Sequence, residues 1–250
     1  MLTPVRAIRL DCRSLPAGTL SHDVAGLLFD MGDVLFDTTL WRRWLLKVLA
    51  RLGVHTNYRI FYHIWDHDFL ADVHCGRRSF CEAFESFLLA VGLSRAQIDE
   101  VKASCEARRA NWEQTVRLLP GVKPTLERLA AAGLVLAVLS DAEDPGEVLA
   151  RQLERMGLPG IFSAVVSSRD VGRSKPDPLN YATALSAIGL PASKVAFVGH
   201  DALELAGAAR AGMSTIAFNF EPVAEADVYL ARFDQLVDVV LSHEQLAAAG

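Results

Sequence analysis

The sequence predicts an α/β fold: a doubly wound parallel sheet, interrupted after its first strand by a small all-helical domain. Two observations carry this reading. Short, wholly apolar runs of strand length recur along the chain with helical stretches between them, which suits parallel strands buried on both faces. Residues from about Thr39 to Arg117, by contrast, contain no convincing strand.

The elements follow in order. The first apolar run, AGLLFD from Ala25 to Asp30, ends in an acid. The strand-free stretch reads as helices over Trp41–Leu52, Arg59–Ala71, Phe80–Val91 and Arg95–Arg117, with Gly53, Gly76 and Gly92 at the break-points. Pro120-Gly121 marks the return to the alternating part. Strands then follow at Leu134–Leu139, Val195–Val198 and Ser214–Phe218, with a weaker one at Phe162–Val166. Helices are expected at Val122–Ala132, Glu147–Met156, Leu179–Ile188 and Ala202–Ala211. The expected division is a core of residues 1–38 and 118–250 and a helical domain of residues 39–117. Sites in such sheets lie at the carboxyl ends of the strands. Residues 1–20 precede the first strand and read as an extra strand or a loosely packed segment.

Composition bounds the function. The net charge is −5, from 25 basic and 30 acidic side chains, which argues against a nucleic-acid partner and leaves room for a small anionic substrate. No apolar run approaches the ~20 residues that span a bilayer. The segment Met1–Leu20 carries Arg6, Arg9 and Arg13 without a secretory apolar stretch, so no membrane partner and a cytoplasmic location are expected. Cys12, Cys75, Cys81 and Cys105 form no CxxC pair and read as reduced thiols.

Four signatures fall at the ends of successive strands: Asp30 in LLFDMGDVLFDT, Ser140 closing LVLAVLS, Lys175 in GRSKPDP, and His200, Asp201 and Glu204 in FVGHDALELAGAARAGM. A carboxylate can attack an electrophilic phosphorus and form an acyl phosphate that water hydrolyses. The transferred group is anionic, so it calls for countercharge and hydrogen-bond donors. Lys175 offers an ammonium and Ser140 a hydroxyl. Further acids beside the nucleophile would repel the substrate unless a cation such as Mg²⁺ lies among them.

These four segments, in this order, resemble the four motifs of the haloacid dehalogenase (HAD) superfamily, in the branch whose helical cap follows the first strand of a Rossmann-like core. The resemblance runs from about Gly26 to Asn219 and is closest over GLPGIFSAVVSSRDVGRSKPDPLNYATAL. It implies Asp30 as nucleophile, Ser140 and Lys175 as ligands of the transferred group, and the Gly32 carbonyl as a metal ligand. It implies Mg²⁺ as the cofactor, with Mn²⁺ or another divalent cation as alternatives, held by Asp30, Gly32, Asp201 and Glu204. A phosphatase of a small phosphorylated metabolite is the expected activity. A hydrolytic dehalogenase of a small haloacid and a non-catalytic regulatory or binding protein are the alternatives.

Two positions depart from the family pattern. The acid two residues after the nucleophile, which serves as general acid and base, is here Gly32, and Asp33 lies one residue further on. The fourth motif reads Gly199-His200-Asp201 in place of Gly-Asp, with Glu204 at the second acid. Either His200 or Asp201 then serves the metal, and an imidazole ligand would favour Mn²⁺ or a transition metal.

The helical stretch holds a further cluster: His63, Asp66, His67, Asp68, Asp72, His74 and Cys75. It fits no metal module, so its members read as solvated or substrate-facing. Phe61, Tyr62, Trp65 and Phe69 read as the core of that stretch. Arg42, a candidate substrate ligand, reads with Arg43 as an exposed arginine at the domain entrance.

Overall fold

The computed structural model describes residues 20, 23–110 and 116–241. The N-terminal segment, with Cys12 in it, residues 111–115 within the expected fourth helix, and residues 242–250 lie outside the described residues.

The sheet has six parallel strands: β1 (Gly26–Phe29), β2 (Val135–Ser140), β3 (Ala164–Ser167), β4 (Val195–Gly199), β5 (Ser214–Phe218) and β6 (Val228–Leu230), in the order β3-β2-β1-β4-β5-β6. The chain winds outward from β1 through β2 to β3, then crosses back to β4 on the other side. The reversal falls between β1 and β4, where such sheets open a crevice at their carboxyl edge. Phe29 pairs in register with both Val138 and Val198, so the residues after each strand converge on one edge.

Alternation along the strands builds two cores. Leu27, Phe29, Leu136, Val138, Ala196 and Val198 pack on one face with Val122, Leu126, Leu149 and Leu153. Leu28, Ala137, Leu139, Val195 and Phe197 pack on the other with Tyr181, Ala184, Leu205 and Ala208. Each buried Val, Leu or Phe among them contributes roughly 1.5–3 kcal/mol by leaving water, and the two-sided burial explains why the strands read as unbroken apolar runs.

The helices of the core are Val122–Ala131, Gly146–Arg155, Pro178–Ile188 and Ala202–Arg210, with shorter turns at Ser168–Val171 and Leu236–Val240. Asp177 caps Pro178–Ile188 through its side chain, and Pro178 occupies the first helical turn, where a missing N–H costs nothing.

The stretch between β1 and β2 is helical: Thr39–Arg51, Tyr58–Tyr62, Ala71–His74, Phe80–Ala90 and Arg95–Ala110. The expected helix Arg59–Ala71 is in fact broken, because His63–Phe69 forms a π-helix between two short α-helices. The expected continuation of the last helix to Arg117 fails as well: Val116 and Arg117 are not helical, and Leu118 pairs with Phe36. The chain therefore leaves and re-enters the α/β part at adjacent points, and the Leu119 N–H donates to the Leu35 carbonyl at 2.9 Å. This helical part has its own core, with Leu45, Leu49, Phe61, Trp65, Phe84, Phe87 and Ile98 buried together. No described helix is long and apolar enough to cross a membrane, and Cys75, Cys81 and Cys105 are free.

Candidate active site

Asp30, Ser140, Lys175, His200, Asp201 and Glu204 come together at the carboxyl edge of the sheet, at the floor of a cavity of about 680 Å³. The helical part supplies the opposite wall through Tyr62, Trp65, Asp66, His67 and His74. Asp30 follows β1 directly and is held there by its N–H, which donates to the Val198 carbonyl at 2.9 Å.

Lys175 is the organising cation. Its ammonium is fully buried and donates to Asp30 Oδ1 at 2.5 Å, Glu204 Oε2 at 3.0 Å and the Leu139 carbonyl at 3.3 Å. Burial alone would lower its pKa, yet Asp30, Glu204 and Asp141 together hold it well above the ordinary lysine value. The ammonium is thus charged at all working pH. Its backbone N–H donates to both oxygens of Asp141, at 3.1 Å each. No sequence pattern marks Asp141, yet it fixes the loop that carries the lysine. Burial, against the opposing pull of Lys175, raises its carboxyl to about 6. Glu204 is likewise pushed well above the ordinary carboxyl range, by burial first and then by Asp30, Asp141 and Asp201, although Lys175 opposes this.

The lysine also depends on a close approach behind it. A Cβ at Gly207 would lie 2.5 Å from Tyr181 Oη and 2.8 Å from Pro176 Cβ. Glycine there lets helix Ala202–Arg210, whose Glu204 carbonyl accepts the Tyr181 hydroxyl at 2.8 Å, pack against the residue next to Lys175.

Asp201 and His200 face different partners. Asp201 Oδ1 caps its helix, accepting the Leu203 and Glu204 N–H groups at 2.8 and 3.1 Å, while Oδ2 lies 3.6 Å from His67 Nε2. His200 Nε2 lies 3.6 Å from Asp30 Oδ2. The helical cluster thus reaches the site through His67. It also does so through His74, whose imidazole is driven down to about 4 by burial and is therefore neutral. Neither role was readable from the sequence, because each partner lies more than one domain segment away.

Arg42 differs from its reading as an exposed arginine. Its side chain is 12% exposed and is clamped by two carboxylates: Nη1 to Asp33 Oδ2 at 2.7 Å, Nη2 to Asp66 Oδ1 at 2.8 Å and Nε to Asp66 Oδ2 at 3.2 Å. Nη1 also donates to Thr38 Oγ1 at 2.6 Å, and the guanidinium lies 4.8 Å over the Tyr62 ring. The pairing, invisible locally, joins the loop after β1 to the π-helix. It lines the cavity with its charge already matched.

Asp33 is consumed by the same network. Its backbone is left-handed, φ 55°, which turns its side chain back on the chain, where Oδ1 accepts the Thr38 N–H at 2.8 Å. Burial raises its pKa, but Arg42, His200 and the Thr38 hydrogen bonds outweigh that and leave it below the usual carboxylate value. Gly32 carries no acid and pairs with Phe36.

The expected metal ligands do not fit a divalent cation as they stand. Lys175 takes Oδ1 of Asp30 and one oxygen of Glu204, and Asp201 spends Oδ1 on its helix. Among the described residues no three His, Cys, Asp or Glu side chains are grouped so as to hold a metal ion.

A family model described as haloacid dehalogenase-like hydrolase matches residues 24–212. The chain belongs to this family. It is similar to (S)-2-haloacid dehalogenase 4A of Burkholderia cepacia, 34% identical over 40% of this chain and 42% of that one. It is also similar to a phosphoglycolate phosphatase of Pseudomonas fluorescens, 28% identical over 55% of this chain and 53% of that one. The HAD-like chain spans about half the length of the curated relatives it matches. Among solved structures, an L-2-haloacid dehalogenase superposes with a TM-score of 0.66 at 21% identity, over 88% of this chain and 100% of that one. A HAD phosphatase from Thermococcus onnurineus gives 0.57 at 18%, over 87% and 98%. These structures share the HAD fold, and the chain is a HAD-like hydrolase.

Proposed function

We propose that this chain hydrolyses a small phosphomonoester, with Asp30 as nucleophile and with Lys175 and Ser140 holding the transferred group. The observation that carries the reading is the fully buried Lys175 ammonium bonded at 2.5 Å to the Asp30 carboxylate, at the floor of the cavity. A cation so placed orients the Asp30 carboxylate at the cavity floor and lends countercharge to an incoming anion.

In the first step an Asp30 oxygen bonds to phosphorus while the bond from phosphorus to the ester oxygen breaks, its electron pair staying with the leaving oxygen. In the second, water attacks the phosphorus of the aspartyl phosphate as the bond from phosphorus to the Asp30 oxygen breaks, its electron pair staying on the carboxylate and the water oxygen on the phosphate. A water proton passes to the leaving oxygen or to solvent, and Asp30 is regenerated. Residues 39–117 act as the cap over this site, a reading supported by the wall that Tyr62, Trp65, His67 and His74 contribute. Phosphatase-named relatives support the substrate class.

A hydrolytic dehalogenase is the second reading, favoured by Gly32 and His200, which leave the acid and the metal of the phosphatase pattern without their usual side chains. There Asp30 would displace halide from carbon, and water would cleave the resulting ester. The two readings are tested by measuring phosphate release from a panel of phosphorylated metabolites beside halide release from 2-haloacids. Phosphate release that Asp30→Asn removes is the expected result. Halide release without phosphate release overturns the first reading in favour of the second.

A further inference from the structure

We infer that the imidazole of His200 takes the place of the divalent cation beside Asp30, so that turnover needs no bound divalent metal; this rests on Asp30 as nucleophile. Both carboxylate oxygens of Asp30 and of Asp201, and one of Glu204, which the phosphatase pattern would give to a cation, are already faced by nitrogens of the protein. Asp30 Oδ1 accepts from Lys175, and Oδ2 faces His200 Nε2 at 3.6 Å. Asp201 Oδ1 accepts two helix N–H groups, and its Oδ2 faces His67 Nε2 at 3.6 Å. Glu204 Oε2 accepts from Lys175.

Geometry and ligand preference point the same way. Mg²⁺ demands an octahedron of oxygens at about 2.0–2.1 Å and keeps several waters. A ring nitrogen 3.6 Å from Oδ2 occupies the approach to that oxygen which such a shell would use. A transition metal would accept the imidazole, but it needs further protein donors. The pairs Asp30–His200 and Asp201–His67 do not merge into a group of three among the described residues. With its side chain 12% exposed in the site, His200 instead presents a nitrogen to the nucleophile where the family pattern places a carboxylate for a metal.

The test uses chelator-treated full-length protein. Phosphate release from p-nitrophenyl phosphate should stay within about twofold with or without chelator, a difference of roughly 0.4 kcal/mol. Titration with Mn²⁺ by electron paramagnetic resonance, and with Zn²⁺ by calorimetry, should show no site tighter than about 1 mM. His200→Asp should gain a Mn²⁺ site at least about tenfold tighter than any in the wild type. Stoichiometric Mn²⁺ or Zn²⁺ binding by the wild type that Asp30→Asn removes overturns the inference, as does a chelator loss above about tenfold. A folded His200→Asp protein, checked by circular dichroism, that binds Mn²⁺ no better than wild type overturns it as well. Absence of any phosphate release would instead count against the phosphatase reading, and the metal titrations would still decide this one.

Discussion

Replacing Arg42 with methionine removes the one cation between Asp33 and Asp66. Methionine keeps much of the aliphatic volume but leaves two carboxylates, 8% and 15% exposed, without the guanidinium that pairs them. Breaking a buried pair in this way costs about 3–5 kcal/mol, since the orphaned charge remains buried. For a chain of this size each kcal/mol moves Tm by roughly 2–4 °C, so Arg42→Met should melt about 6–20 °C below wild type. The pH dependence carries the sign. Asp33 has a depressed pKa in the fold, so its contribution is present above the unfolded carboxyl value and is lost as pH falls through the folded one. In Arg42→Met the largest stabilising share of that contribution, that of Arg42, is gone, and the deficit against wild type should shrink as the carboxylates protonate at acid pH. Melting followed by circular dichroism from pH 3 to 7 measures it. Adding Asp33→Asn and Asp66→Asn to Arg42→Met should recover at least half of the loss. A single variant within about 1 kcal/mol of wild type, or a triple variant no better than the single, would refute the clamp.

Three further outcomes follow from the same geometry. Asp30→Asn should abolish phosphate release while the circular dichroism spectrum stays native; turnover within about tenfold of wild type removes Asp30 as nucleophile. Asp33→Asn should leave kcat and its pH profile within about threefold of wild type while lowering Tm, because Asp33 faces Arg42 and Thr38; a large kcat loss would make it the missing acid. Gly207→Ala should cost about 1–3 kcal/mol by overpacking against Tyr181 and Pro176, and should lower kcat through the displaced Lys175 loop; unchanged kcat with lowered Tm would detach that packing from the site.

The sheet was legible because its strands are buried on both faces. Leu27 to Phe29 and Val195 to Val198 are wholly apolar, and no other element needs such runs. Strand β6 carries no such signal, because it is three residues long with Tyr229 half-exposed. Asp30 and Ser140 were legible because each sits one residue past such a run, and Lys175 because it lies in the loop just before helix Pro178–Ile188. The clamp at Arg42, the lysine-fixing Asp141, and the approach of His67 to Asp201 were not, because each partner is brought in by tertiary packing across 24 to 134 positions. Even the π-helix that carries His67 has no pattern of its own: its apolar residues Ile64, Trp65 and Phe69 fit an ordinary helix equally well.

The missing acid is where sequence and structure combine into the most discriminating experiment. A carboxyl group protonating the leaving oxygen is worth roughly 10²- to 10⁴-fold, and at position 32 this chain has glycine. Asp33, bound to Arg42 and the Thr38 N–H, is held out of reach. Esters whose leaving groups depart without a proton, such as aryl, acyl or anomeric sugar phosphates, should therefore react far faster than simple alkyl phosphates. The backbone at Gly32 is not left-handed, and a Cβ there meets only Thr38 Cγ2, at 3.1 Å. Gly32→Asp with Thr38→Ser removes that methyl group yet keeps the hydroxyl that Arg42 Nη1 uses. If the acid is all that is missing, the double variant should raise kcat on an alkyl phosphate by at least about tenfold. It should leave aryl phosphate rates nearly unchanged, flattening the plot of log kcat against leaving-group pKa. A wild-type plot that is already flat, or a double variant that folds and shifts both substrate classes alike, would show that another group delivers the proton. His200, 3.6 Å from Asp30 Oδ2, would then be the residue to substitute next.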